Sequence, residues 1–349
     1  MRALIRFLFI GVIFVIVFNF TFAEDPTSVE EETSVPQLNS SQKDNVQDSE
    51  NTKPKCGLAS LLGKDTRFLE NQLGRPIRID PSPYGYEWYI YNSNSKNYIQ
   101  VGIKNDHVVT LYAIGSDVNV SPFKIGQPVE EIFSKVPIEL NISLDFEGSH
   151  YRFELTDSDM NTQPLIQVGD CYAQLYIDKF TGTLSSVRYM DAETLLLLRP
   201  YELLYQGELL KANSPESYSE EQIQSASEKQ IYDITNIMRN RYQSTPLKWD
   251  EKTSAVALAH SKDMYETKEF SHSSKKYGEL SDRLETGEVT YHLAGENIAA
   301  NYVDAPAVME GWLNSKGHRE NLLNEEFTHI GVGVFKKYYT QNFIQKQEY

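Results

Sequence analysis

From Gly57 onward the apolar residues follow two periods in turn, and the places where one gives way to the other divide the chain. Thr66, Phe68, Leu69 and Leu73 sit at helical spacing in a run that opens at Leu62-Gly63 and closes at Gly74-Arg75-Pro76. Pro128, Val129, Ile132 and Phe133 do the same in a second run, opening at Ile125-Gly126 and closing near Pro137. Each is followed by period-two runs: 86–91, 98–103 and 108–114 after the first, then 151–155, 172–177 and 184–189 after the second. The pattern predicts a duplicated unit over 57–206, each copy one helix and an antiparallel meander, stacked to bury one core. The many tyrosines here fit half-buried strand positions better than a binding face. The run 195–198 with Pro200 and Tyr201 closes the unit, and the polar stretch 211–219 reads as a linker.

A second domain, 219–349, opens with Ser219-Glu220-Glu221-Gln222, a capping box ahead of Ile223, Ile231, Ile234 and Met238 at helical spacing. Residues 246–249 predict a connecting turn, after which Asp250 caps a helix bearing Ala255, Leu258, Ala259 and Met264, with His260 as a packed histidine. Asp304 and Pro306 start a shorter helix whose apolar face holds Val308, Trp312 and Leu313. Two strands, 329–335 and 338–344, end the chain around a tight Lys336-Lys337 turn. The fold class is therefore α+β.

Ahead of both domains, Arg2 and Arg6 precede an apolar run over 7–18 and then Asn19-Phe20-Thr21-Phe22-Ala23. This is the form of a secretory signal cleaved after Ala23; counted from Leu4 to Ala23 it is also long enough for an uncleaved anchor. Either reading exports the remainder of the chain, leaving it secreted or tethered to the outer face of the cytoplasmic membrane. Residues 24–55 are acidic, polar and almost free of aromatics, the composition of a disordered tether. With 40% hydrophobic and 23% charged residues over 349 positions, the rest is ordinary globular protein. The formal net charge of −16 excludes a nucleic-acid surface, which needs clustered Lys and Arg. Cys56 and Cys171 are placed either to form one disulfide after export or to stay as thiols.

Candidate chemistry concentrates in 294–323. Gly295 precedes Glu296 and Gly317 precedes His318, which predicts the carboxylate and the imidazole on two sharply bent loops flanking the helix that begins at Asp304. His272 lies on a second turn upstream. Two imidazoles and a carboxylate are a donor set for catalytic zinc, with water in the fourth position. The competing reading is a hydrogen-bonded network of the same three side chains that stabilises the loops. Neither Ser315 nor Ser271 stands in a Ser-His-acid context, and no helix carries a zinc-protease HExxH pattern.

Over the last third of the chain, the motifs occur in a telling order: Ala259-His260-Ser261 with Met264, Phe270-Ser271-His272, Asp282-Arg283-Leu284, Gly295-Glu296-Asn297-Ile298-Ala299, Trp312 with Asn314-Ser315, Gly317-His318-Arg319, Asn321-Leu322-Leu323, Ile330-Gly331-Val332-Gly333-Val334 and Thr340-Gln341-Asn342-Phe343. This series resembles the CAP domains of the SCP-like, cysteine-rich secretory protein superfamily. The part before it resembles the CAP-associated N-terminal domain. The resemblance implies an α-β-α sandwich and a cleft of His272, Glu296 and His318 that holds a divalent metal, Zn2+ among others, in some members. The family's second cleft Glu corresponds to Ser315, which removes a possible general base. The resemblance thus implies an exported module binding a lipid, peptide or wall fragment without catalysis, or alternatively a metal-dependent hydrolase at the cell envelope.

Overall fold

Asp65 accepts a hydrogen bond from the Phe68 amide, and Gly74 closes the other end at φ 80°, so α1 (Thr66–Leu73) starts and stops where its sequence signals stand. The computed structural model describes residues 56–212 and 217–346; the export signal or anchor and the acidic tether read from 1–55 lie outside them. Among the described residues no helix is long and apolar enough to cross a membrane.

After α1 come β1 (Arg78–Pro81), β2 (Glu87–Asn94), β3 (Asn97–Lys104) and β4 (His107–Ile114), each antiparallel to the next. The second half opens with α2 (Val129–Phe133) but is not a plain copy. A hairpin of β5 (Asn141–Phe146) and β6 (Ser149–Glu154) and the helix α3 (Asp157–Thr162) intervene before β7 (Leu165–Val168), β8 (Cys171–Asp178) and β9 (Thr183–Met190) complete the meander. Pairing of β4 with β9 joins the halves into one seven-stranded sheet, ordered β1-β2-β3-β4-β9-β8-β7. The helix α4 (Ala192–Leu198) and β10 (Glu202–Gln206) come next, and β10 joins the hairpin in a separate sheet ordered β10-β6-β5.

The strand expected at 151–155 thus leaves the meander, for a physical reason. Tyr151 and Phe153 alternate with Arg152 and Glu154, so β6 has one apolar face, whereas β8 is buried at every position and suits a sheet covered on both sides. Tyr86, Tyr98, Tyr112, Tyr176 and Tyr189 are fully buried, which makes the tyrosines of this sheet packing residues. Cys56 is exposed and Cys171 buried, and no disulfide joins them.

The second domain begins at α5 (Glu220–Arg241) with both halves of the Ser219–Gln222 capping box formed. The turn expected at 246–249 contains a short strand, β11 (Lys248–Trp249). Asp250 then caps α6 (Glu251–Thr267), and α7 (Leu280–Thr286), β12 (Tyr291–Ala300), α8 (Ala305–Leu313), α9 (Lys316–Leu323), β13 (His329–Phe335) and β14 (Tyr338–Lys346) complete the chain. The sheet runs β11-β13-β14-β12. Along β13, Ile330, Val332 and Val334 join the core containing α5 and α8, while Gly331 and Gly333 face α6. A Cβ on Gly333 would lie 1.9 Å from the Leu258 backbone nitrogen, so α6 rests directly on the strand. The result is the α-β-α sandwich.

One core cluster holds Tyr86, just ahead of β2, and Trp88, Tyr112 and Tyr176 of the large sheet together with Ile231, Ile234, Met309 and Trp312 of the sandwich. Buried polar contacts cross the same boundary. Arg188 Nη2 donates to both Asp304 carboxylate oxygens at 2.8 Å. Glu310 Oε1 accepts from Ser186 Oγ at 2.6 Å and from the Tyr112 hydroxyl at 3.1 Å.

Candidate functional site

The cleft is assembled around one carboxylate. Glu296 lies in the middle of β12, opposite Asn342 of β14, with its side chain 3% exposed. Three elements converge on it. From the 268–279 loop, His272 Nδ1 stands 2.9 Å from Oε1. From α7, the buried Arg283 donates Nη2 to Oε2 at 2.6 Å. From α6, His260 Nε2 contacts the Ser271 carbonyl at 3.0 Å and lies 3.9 Å from Oε1.

Arg283 also holds the loop. Its Nη1 donates to the His272 carbonyl at 2.7 Å and the Gly278 carbonyl at 3.2 Å, so one guanidinium fixes the carboxylate and the backbone that carries its imidazole partner. Gly278 sits at φ 74°, and a Cβ there would meet the Asp282 carboxylate at 2.2 Å. Behind this frame the His272 side chain is 56% exposed.

His318 lies on α9, near enough to His272 to feel its charge. Asn297 Nδ2 donates to the His318 carbonyl at 3.1 Å, and Asn321 Nδ2 to the Glu296 carbonyl at 3.0 Å, which tie that helix to β12. Burial, and then the nearby His272, push the His318 imidazole down to about 4, so it is neutral near pH 7. Burial also lowers His260 from the ordinary value, against the pull of Glu296. Ser315 is the N-cap of α9, half-buried, and its hydroxyl makes no capping bond.

The sequence expectation of two loops is corrected here. Glu296 is on a strand and His318 is on a helix. Gly295 serves close approach rather than a turn, since a Cβ would fall 2.8 Å from the Phe327 ring and 3.0 Å from Asn321 Oδ1. His272 contacts Glu296 directly, His318 lies near enough to His272 to feel its charge, and Ser315 stands three residues before His318 at the head of the same helix. As a metal set they fit poorly. Among the described residues no three His, Cys, Asp or Glu side chains are placed to hold a metal ion. Arg283 also takes one oxygen of Glu296, so a cation held there would stand beside a guanidinium. Arg283 stands in the Asp282-Arg283-Leu284 motif, and nothing local in the sequence links it to Glu296.

Two family models match: one described as CAP-associated N-terminal over residues 62–201, and one as the cysteine-rich secretory protein family over 232–349. A Bacillus subtilis (strain 168) protein named "Uncharacterized membrane protein YlbC" is 51% identical over 293 residues, 84% of this chain and 85% of its own length. The chain belongs to the CAP superfamily. It carries the CAP-associated domain ahead of its CAP domain. Among solved structures, an extracellular protein containing an SCP domain from Bacillus anthracis str. Ames is 46% identical, with a TM-score of 0.79 over 88% of this chain and 99% of that one. A cysteine-rich secretory protein from Staphylococcus aureus subsp. aureus Mu50 is 34% identical, with a TM-score of 0.76 over 85% and 98%.

In this CAP protein the N-terminal domain reaches close to the cleft. Arg319, next to His318, pairs with both oxygens of Asp178 at 3.0 Å and stacks over Phe180 and Tyr242. Asn314, next to Ser315, accepts from the Lys179 amide at 2.9 Å and donates to the Ile177 carbonyl at 2.8 Å. The end of β8 and the loop after it therefore hold the α8–α9 turn at Asn314 and α9 itself at Arg319.

Proposed function

We propose that this chain is an exported, non-enzymatic binding module whose CAP cleft of His272, Glu296, His318 and Ser315 recognises a ligand at the cell envelope. The observation that carries the reading is the state of Glu296. Its Oε2 is committed to Arg283 and its Oε1 to His272, so the cleft's acidic group is an ion-paired acceptor rather than a free base. Ser315 stands where the second acid of the family would be, and supplies a hydroxyl without a charge. An exposed imidazole, a neutral buried one and a hydroxyl suit hydrogen bonding to a polar ligand, such as a peptide, a wall fragment or a lipid headgroup. Export is supported by the apolar N-terminal run and by relatives described as a membrane protein and as an extracellular protein.

The test pairs binding with turnover. Soluble wall fragments and peptides are titrated into the full chain and into His272→Ala, and the mixtures are followed for new products by mass spectrometry. Saturable binding weakened about tenfold in the variant, with every ligand recovered intact, is the expected result. A cleavage product that requires His272 would overturn the non-enzymatic reading.

A further inference from the structure

On the buried side of Glu296, four polar atoms have no protein partner among the described residues. Asn342, fully buried on β14, has neither its amide Nδ2 nor its carbonyl Oδ1 bonded. His260 Nδ1 and Arg283 Nε are in the same state. All four belong to side chains that converge on one carboxylate. Asn342 is the cross-strand neighbour of Glu296, Arg283 Nη2 holds Oε2 at 2.6 Å, and His260 Nε2 lies 3.9 Å from Oε1. Asn342 also shares a sheet face with Thr340, whose hydroxyl meets Ser261 of α6 at 2.8 Å, so it points toward the layer that supplies His260. Its other cross-strand neighbour is Gly331, which has no side chain to offer.

Buried donors and acceptors are rarely left unbonded, because stripping them of water without replacement is costly. The chemistry of these four selects what meets them. Arg283 Nε can only donate. His260 Nε2 faces the Ser271 carbonyl at 3.0 Å, which can only accept, so the neutral ring carries its proton there and Nδ1 is a bare acceptor. Asn342 offers one donor and one acceptor. An anion would leave both acceptors unmet, and a cation would stand beside the guanidinium. Water donates and accepts, and a polar gap of about 10–15 Å³ is enough to hold one molecule.

We infer that Asn342, His260 and Arg283 form an internal hydration site on the buried side of Glu296. Through its water, Asn342 is a positioning residue for the cleft. The water fixes the His260 ring, and that ring bonds the Ser271 carbonyl one residue ahead of His272.

The test uses the full chain without ligand, so its outcome is separate from whether the cleft binds anything. A crystal structure of the parent that resolves ordered solvent is expected to show water about 3 Å from the Asn342 side chain and from His260 Nδ1. In solution, water-oxygen magnetic relaxation dispersion counts long-lived internal waters. Asn342→Leu, which offers neither donor nor acceptor, should lose at least one of them. In the same variant the nitrogen resonance of His260 Nδ1 should move downfield as its donor leaves. A dry site in which Asn342 bonds protein atoms directly overturns the proposal, and so does an unchanged water count in Asn342→Leu. A lost water with an unmoved His260 resonance overturns the positioning role. Should the leucine variant not fold, the parent structure still decides.

Discussion

At the scale of single residues, the cleft depends on a charge that is compensated from one side. Arg283 and Glu296 are both almost fully buried. Replacing Arg283 by Met leaves a carboxylate in a low-dielectric site and frees the His272 and Gly278 carbonyls, so urea unfolding should show a loss of about 3–5 kcal/mol. A second change, Glu296→Gln, should restore part of it; if Arg283→Met alone unfolds like the parent, the pairing has been misassigned. His318 and Glu228 give opposite pH dependences. His318 is neutral in the folded state down to about 4, while in the unfolded chain it takes its proton near 6.5. The unfolded state therefore binds more protons between those values, and stability falls as pH drops from about 6.5 to 4, by roughly 3 kcal/mol at most. Glu228, buried where it accepts the Val334 amide, is pushed up to about 7, so the folded state keeps its proton longer and stability falls as pH rises from about 4.5 to 7. Denaturation series of His318→Gln and Glu228→Gln against the parent should separate the two slopes, each variant removing one. Asn297 and Asn321 tie α9 and β12 together through backbone carbonyls. The partner of Glu296 was not legible in the sequence, because it is supplied by a helix thirteen positions upstream through a contact that local pattern does not encode.

Among elements, legibility followed local signals. The capping boxes and Asp caps placed α5, α6 and α8 correctly, because those bonds lie within four residues of one another. The strand β10 and the short β11 were missed, since each exists only by pairing with a distant partner, β6 and β13. The glycines divide in the same way. Gly331 and Gly333 sit where a Cβ would strike the α6 backbone, which has no flexible side chain to yield. Ala at either position should cost upwards of about 3 kcal/mol, by overpacking. Gly317 has nothing within 4 Å of such a Cβ and lies in the first turn of α9. Gly317→Ala should therefore raise stability by up to about 1 kcal/mol in thermal or urea unfolding. A loss there would show that the cleft needs the missing side chain.

The whole molecule behaves as one body over the described part of the CAP-associated and CAP domains, because a single core cluster runs through both and is crossed by Arg188–Asp304. Calorimetry should give one transition whose van't Hoff and calorimetric enthalpies agree. Asp304→Ala should lower it sharply, since Arg188 has no exposed surface in which to hide its charge. Two resolved transitions would show that the core is divided after all. Sequence periodicity predicted two domains and the fold class of each; the shared core was illegible, because an apolar position reads the same whichever neighbour covers it.

One turn of helix serves two masters. His318 faces the cleft, while Arg319 is gripped by Asp178 of the other domain, and Asn314 by the loop after it. Such a joint ties the ancestry of the two halves together. A CAP module moved by recombination into another gene would arrive with Arg319, Tyr242 and Asn314 stripped of their counterparts, and a replacement front half would have to bring its own acid and its own loop at the same spot. The pair is thus expected to descend as a unit, and drift at Asp178 to be answered at Arg319.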